Sequence, residues 1–168
     1  MASQNVSSGW AGSVNELDGS YFQASGALDG EIFNGKAVIL VFYSPGCGWC
    51  QKLKPTFNQA AEANTNTDLM YAVVNASSNR QLMAGTRNWP YKVNGYPTIV
   101  GYYNNQYVGI YSGDRSTNSL QEFGEKLLSS ASKIGGGNAG GNSGGNKKPT
   151  KPTVESKYIA QVYRFCPQ

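Results

Sequence analysis

Two cysteines three positions apart, Cys47 and Cys50, are the residues whose type and spacing suggest chemistry. They lie where an apolar run ends and a segment with helical periodicity begins, so Cys47 is expected at a helix N-terminus. There the unpaired backbone N–H groups and the helix dipole favour a thiolate. A thiolate attacks a disulfide, and a second cysteine one turn on can resolve the mixed disulfide. The same spacing also occurs in structural cysteine pairs and as half of a zinc site, so both alternatives stay open.

The amino-acid composition excludes several other chemistries. The 168 residues include no histidine, which removes Ser-His-Asp triads, Cys-His nucleophile pairs and imidazole metal sites. Three cysteines without a histidine argue against a four-ligand structural zinc site. We therefore expect neither a metal nor an organic cofactor.

The net charge of +4 is concentrated at the C-terminal end. Residues 146–168 hold five of the 14 bases and one of the ten acids, so residues 1–145 are neutral. A neutral body does not favour a nucleic-acid partner. The longest apolar run, Ala37–Tyr43, is too short to span a membrane. Residues 1–19 lack the basic start and apolar core of a signal peptide, so a cytoplasmic or virion location is expected over secretion.

Hydrophobic periodicity predicts an α/β fold. The run at 37–43 is rich in β-branched and aromatic residues, which is typical of a central strand buried on both faces. Further strands are predicted at 69–75, 96–103 and 106–111, and helices at 50–66, 79–84 and 116–133. This order predicts a mixed central sheet flanked by helices, with Asn104 and Asn105 forming the turn of an antiparallel hairpin.

Changes in composition divide the chain into four segments. Residues 1–13 are polar and are expected to fray, and residues 14–134 form the globular domain. Residues 135–153 are a Gly/Asn-rich linker that becomes basic and Pro-containing, and residues 154–168 are an apolar segment with Cys166. Together these last two segments are expected to be a flexible tail. Cys166 is either an inert packed side chain, a third thiol forming an intra- or intermolecular disulfide, or part of a partner-binding tail.

Three motifs resemble the thioredoxin-like family, and protein disulfide isomerase domains in particular. They are VFYSPGCGWC at 41–50, GYPTI at 95–99 and YSGDR at 111–115. The resemblance implies a thioredoxin fold and a thiol–disulfide oxidoreductase that exchanges disulfides with protein substrates. It makes Cys47 the attacking thiol, Cys50 the resolving thiol and Pro97 a cis-proline, with Tyr96 and Thr98 lining the substrate groove.

The chain also departs from the family pattern. Gly46 stands where Trp is usual, and Trp49 occupies the motif, either exposed for apolar substrate segments or packed over Cys50. A neutral indole predicts a less oxidising couple than a histidine gives. Val41 and Val73 take the positions of a buried acid and its lysine neighbour, so slow resolution is expected.

These departures keep an alternative function open. The chain could instead be a catalytically weak or inactive thioredoxin-fold module that uses its groove and tail for binding. Its high Asn and low charge content is typical of AT-rich genomes, including those of giant DNA viruses, and this keeps the virion location open.

Overall fold

The structure is a computed structural model that describes residues 8–135, with side chains from residue 8 to residue 130. Its strands are β1 (Val14–Leu17), β2 (Ala37–Tyr43), β3 (Leu69–Asn75), β4 (Thr98–Tyr103) and β5 (Gln106–Tyr111). Its α-helices are α1 (Gly48–Ala63), α2 (Arg80–Gly85) and α3 (Thr117–Gly135). Single 3-10 turns lie at Gly19–Tyr21, Glu31–Phe33 and Thr86–Asn88.

One five-stranded mixed sheet, in the order β1-β3-β2-β4-β5, organises the domain. β1, β3 and β2 are mutually parallel, whereas β4 pairs antiparallel with β2 and β5 antiparallel with β4. All seven residues of β2 are buried, because apolar side chains cover both faces of this central strand. The carboxyl end of β2 therefore leads from the middle of the sheet directly into the loop that carries Cys47.

Apolar cores lie on both faces of the sheet. One contains Cys50 and Phe57 of α1 together with the α3 residues Leu120 and Leu127. The other contains Trp89 and Tyr91 from the segment between α2 and β4. Gly101 allows α3 to approach β4 closely, since a Cβ there would lie 2.6 Å from Leu127 Cδ2. Packing on both faces fixes the sheet, and the loop that carries Cys47 follows the carboxyl end of its central strand.

The predicted thioredoxin fold is confirmed, and several predicted elements match residue for residue. β2, β3 and β5 have the bounds that periodicity predicted. α1 begins two residues earlier than predicted because Cys47 caps it. β4 begins at Thr98 rather than Tyr96, since Pro97 has no N–H to donate to a strand ladder. The short edge strand β1 was not predicted from periodicity.

The prediction that residues 1–13 fray is wrong for residues 8–13. Trp10 is only 7% exposed and packs edge-on against Tyr43 and Phe57, at centroid distances of 5.1 and 5.6 Å. The Ala11 N–H also donates to Asn58 Oδ1 at 2.9 Å. A single large aromatic side chain thus anchors a segment whose other residues are small and polar.

The remaining predictions concern membrane-spanning segments and the C-terminal region. In the part of the chain that the structure describes, no helix is long and apolar enough to cross a membrane. The predicted flexible tail, the basic linker and Cys166 lie outside the described residues.

Candidate active site

Cys47 occupies the N-cap of α1 at the end of a tight loop. Its backbone N–H donates to Ser44 O at 3.1 Å, which turns the chain after β2. Its Sγ in turn accepts a hydrogen bond from the Cys50 N–H at 3.2 Å. No acidic residue lies in the first turn of α1, so no carboxylate there opposes a negative charge on the sulfur. The sulfur is partly exposed and can meet a partner disulfide.

Cys50 is fully buried one turn further along α1. Burial is the main reason that the pKa of its thiol rises to about 11, and the hydrogen bond and charge of Cys47 raise it further. A backbone hydrogen bond at Ser44 and the positive charge of Arg115 act in the opposite direction. Cys50 is therefore a protonated thiol at neutral pH, protected from bulk solvent.

The loop before β4 faces the cysteine pair. The Tyr96–Pro97 peptide is cis, as the family resemblance implied. The Cys47 thiol donates to Tyr96 O at 3.4 Å, so this backbone carbonyl lies against the exposed sulfur. Thr98 Oγ1 donates to Gly95 O at 2.7 Å, which ties the two ends of the loop together. The structure thus brings the GYPTI segment to the CGWC segment across 49 positions of sequence.

Trp49 projects into solvent beside the pair. Its side chain is 63% exposed, and Lys52 Nζ lies 4.6 Å from the ring centroid in a cation–π arrangement. The interpretation in which this ring packs over Cys50 does not hold. Gly46 leaves open space, because a Cβ built there has no neighbour within 4 Å. The surface around Cys47 is thus apolar on the Trp49 side and unobstructed at Gly46.

In the described sheet, the two central-strand residues that share a buried cluster with Cys50 at this level are both valines. Val41 and Val73 are register partners on β2 and β3, and both are fully buried. The next residue in this row is Glu16 on edge strand β1, paired with Val73. Glu16 Oε1 accepts a hydrogen bond from the Tyr43 hydroxyl at 3.3 Å. The only carboxylate of this row thus lies at the edge of the sheet, two strands from Val41.

Sequence reasoning missed three features near the site. The burial of Trp10 was not predicted because this residue is a lone aromatic in a polar segment. The position of Glu16 on a strand was not predicted because that strand is only four residues long. Arg115 belongs to the quoted YSGDR motif, yet its effect on Cys50 comes from the folding of the loop before α3. Thr56 of α1 holds that loop by donating to Arg115 O at 2.8 Å.

The fold was expected to hold no metal ion. Among residues whose side chains are described, no three or more His, Cys, Asp or Glu cluster in a way that could hold an ion. Cys166, the third cysteine, lies outside the described residues.

Comparison with known proteins places this geometry in a family. The sequence profile described as Thioredoxin matches residues 22–126, more than half of the chain. The chain belongs to the thioredoxin family. This family is one of thiol–disulfide oxidoreductases, and the Cys47–Cys50 spacing fits its two-cysteine motif.

Relatives of the protein disulfide isomerase type are similar to this thioredoxin domain. The chain is 36% identical over 105 residues to a thioredoxin domain-containing protein 5 homolog of Drosophila melanogaster, covering 60% of this chain and 24% of the relative. It is 35% identical over 112 residues to protein disulfide-isomerase of Saccharomyces cerevisiae, and this match covers 63% of this chain and 20% of the relative. The chain thus spans about a quarter or less of the length of these relatives.

A solved structure agrees with the sequence comparisons. The J-Trx1 fragment of ERdj5 superimposes with a TM-score of 0.55 at 28% identity, covering 70% of this chain and 52% of that one. The expected resemblance to protein disulfide isomerase domains is confirmed. The comparisons give no support to a virion location.

Proposed function

We propose that this thioredoxin domain is a thiol–disulfide oxidoreductase that exchanges disulfides with protein substrates through Cys47 and Cys50. The observation that carries the proposal is the placement of Cys47 Sγ. It lies 3.2 Å from the Cys50 N–H and 3.4 Å from Tyr96 O, between a helix N-terminus and an exposed backbone acceptor. The buried Cys50 thiol completes a pair with one accessible and one protected sulfur.

In the first step, Cys47 attacks a substrate disulfide as the thiolate. A bond forms between Cys47 Sγ and one substrate sulfur, the substrate S–S bond breaks, and the other substrate sulfur leaves as a thiolate that takes a proton from solvent. The Cys50 N–H continues to donate to Cys47 Sγ while this sulfur is negative.

In the second step, Cys50 resolves the mixed disulfide. Its thiol loses a proton, Cys50 Sγ bonds to Cys47 Sγ, and the substrate sulfur departs as a thiolate. Two electrons have then passed to the substrate, which leaves as a dithiol, and the domain holds a Cys47–Cys50 disulfide. Because burial raises the pKa of Cys50, deprotonation of this thiol limits the second step.

The substrate groove is formed by the loop around Pro97 and by Trp49. When Cys47 loses its proton, Tyr96 O loses its donor and is free to accept a backbone N–H of an extended substrate segment. Tyr96 and Trp49 are exposed large aromatic side chains, and they supply apolar contact to a substrate held at Cys47. Gly46 keeps the approach open, and Thr98 holds the loop through its bond to Gly95.

A binding module without turnover is the second candidate. The observation that favours it is the buried Val41–Val73 pair, which offers no base for the Cys50 proton. Such a module would retain the groove and bind protein partners there without completing the second step.

Insulin reduction at pH 7.5 with dithiothreitol as the electron source separates the two candidates. Cys47→Ser should abolish turnover, and Cys50→Ser should form a mixed disulfide with the substrate that persists. A Cys166→Ser background removes the third thiol from both comparisons. Turnover that is unchanged in Cys47→Ser, or its absence in the wild type, would exclude the proposed enzyme.

A further inference from the structure

A basic cavity lies beside the loop that contacts Cys47. It has a volume of about 640 Å³, and Tyr96 forms part of its wall. Tyr96 O accepts from the Cys47 thiol at 3.4 Å, so a single residue belongs both to the cavity and to the surroundings of the nucleophile. A substrate chain bound at Cys47 therefore lies next to this cavity.

Three cations line the cavity, namely Arg80, Arg87 and Lys92. They are the only charged residues of the 45-residue stretch 69–113, which contains no Asp and no Glu. The globular part of the chain is neutral overall, yet the fold brings these three cations to one cavity beside the Tyr96 loop. The local charge could have been found in the sequence, whereas its convergence on one cavity depends on the fold.

These charges have no carboxylate partners in the structure. Across the described residues, the one ion pair within 4.0 Å joins Lys36 to Asp68 and involves none of the three cavity cations. Arg80, Arg87 and Lys92 are all exposed. Three like charges around one cavity create a positive potential that an anionic ligand relieves.

The rest of the cavity wall is mixed, since Met83, Ala84 and Val93 are apolar whereas Thr86 and Asn94 are polar. Met83 and Val93 are half-buried and contribute adaptable and branched side chains to the lining. A volume of this size is within the range of ligand sites and accommodates several side chains. Three cations beside a mixed apolar and polar lining fit a peptide segment in which acidic residues alternate with apolar or polar ones.

We propose that this cavity is a subsite for acidic segments of protein substrates, so that the domain prefers disulfides flanked by Asp or Glu. The inference rests on the proposed oxidoreductase function and names the substrate class of the same site. An extended chain covers about 3.3 Å per residue, so acidic side chains within about five residues of the substrate disulfide reach the cavity. Arg80, Arg87 and Lys92 are specificity residues that hold those side chains.

The test compares two peptides that share one disulfide and differ only in flanking residues, Asp and Glu in one, Asn and Gln in the other. An exposed charge pair contributes up to about fivefold, so three together predict a preference of about tenfold in kcat/KM for the acidic peptide. That preference should fall as salt rises from about 20 mM to about 500 mM, because the charges are exposed. In R80Q/R87Q/K92Q the ratio should approach one.

A matched pair of variants controls for net charge. Lys92→Gln should lower the ratio, whereas Lys126→Gln, which removes the same charge from an exposed position on α3, should leave it unchanged. Equal rates on the two peptides in the wild type, or an undiminished preference in the triple variant, would overturn the subsite. Tighter binding of a short single-stranded RNA than of the acidic peptide would also overturn it.

A binding measurement keeps this proposal separate from the proposed function. Anisotropy of a labelled acidic peptide without cysteine, titrated with Cys47→Ser protein, reports the cavity without any chemistry. If binding is salt-sensitive and is lost in the triple variant, while the wild-type protein reduces neither disulfide peptide, the subsite is retained and the oxidoreductase is excluded. If the wild type reduces both disulfide peptides at equal rates and the labelled peptide does not bind, the oxidoreductase is retained and the subsite is excluded.

Discussion

Val41 and Val73 lie side by side on adjacent parallel strands, fully buried in the apolar cluster that contains Cys50. In the family pattern these two positions hold an acid and a lysine, and the acid takes the proton of the resolving thiol. Here both are apolar, and the pKa of Cys50 is raised to about 11 mainly by burial. In the proposed mechanism the attack by Cys47 therefore has its helix N-terminus, whereas the resolution by Cys50 has no carboxylate at either of these positions.

Restoring the acid should accelerate resolution. A Val41→Glu variant places a carboxylate in the sheet beneath Cys50, and general-base assistance predicts an increase of about tenfold or more in the resolution rate at pH 7. The measurement is single-turnover release of substrate from a preformed mixed disulfide with Cys47. Val41→Gln is the control, since it introduces similar polarity without a base. Equal rates in the two variants would contradict the role assigned to position 41.

Resolution in the wild type should depend steeply on pH. A thiol whose pKa lies above its ordinary value is protonated at neutral pH, so its thiolate fraction rises about tenfold for each pH unit below that pKa. In the mixed disulfide Cys47 carries no charge, but the burial of Cys50 persists, so the rate should still increase between pH 7 and 9. Arg115→Met should shift the profile to higher pH because this positive charge lowers the pKa of Cys50. A rate that is constant above pH 7.5 would contradict this expectation.

Removing the exposed indole should weaken substrate binding without altering the fold. Trp49→Ala deletes a ring that is 63% exposed beside Cys47, and we expect KM for a peptide disulfide to rise about fivefold. The control is Ile32→Ala, which removes another exposed apolar side chain from the segment that precedes β2. An unchanged KM in Trp49→Ala would exclude Trp49 from the groove.

Removing the buried indole should instead destabilise the domain. Trp10→Ala vacates a site between Tyr43 and Phe57, where Lys54 Nζ also lies 5.3 Å from the ring centroid. Truncation of a buried tryptophan predicts a loss of about 3 kcal/mol in the free energy of unfolding, measured by urea denaturation. Trp49→Ala provides the matched comparison, with a loss below about 0.5 kcal/mol. Similar effects at the two positions would contradict the anchoring of residues 8–13.

The predictability of the fold follows the strength of the local signal. β2 could be placed from sequence because seven consecutive apolar residues have one stable location, the middle of a sheet covered on both faces. β1 could not, because it is four residues long with a single fully buried side chain, and its pairing with β3 is a contact distant in sequence. Trp10 was missed for a related reason, since burial of a lone aromatic depends on what packs against it.

In the candidate site too, features with a local sequence signal could be predicted and contacts between distant segments could not. Cys47 and Cys50 could be assigned by spacing, because one helical turn sets their separation. The contact of Cys47 with Tyr96 was suggested by family motifs alone, since nothing local in either segment requires it. Neither periodicity nor motifs indicated that Arg80, Arg87 and Lys92 converge on one cavity, because α2 has only six residues and the segment from it to β4 contains a single 3-10 turn.

The reduction potential of the Cys47–Cys50 couple tests the central proposal most directly. The intact chain and a Cys166→Ser variant would be equilibrated with glutathione mixtures, and the fraction of disulfide would be read by thiol labelling. We expect a reversible two-electron couple in both proteins, with a potential between roughly −270 and roughly −180 mV because no histidine charge lies in the motif. If the Cys47–Cys50 pair is not reversibly oxidised at any glutathione ratio, the result contradicts the oxidoreductase and favours the binding module.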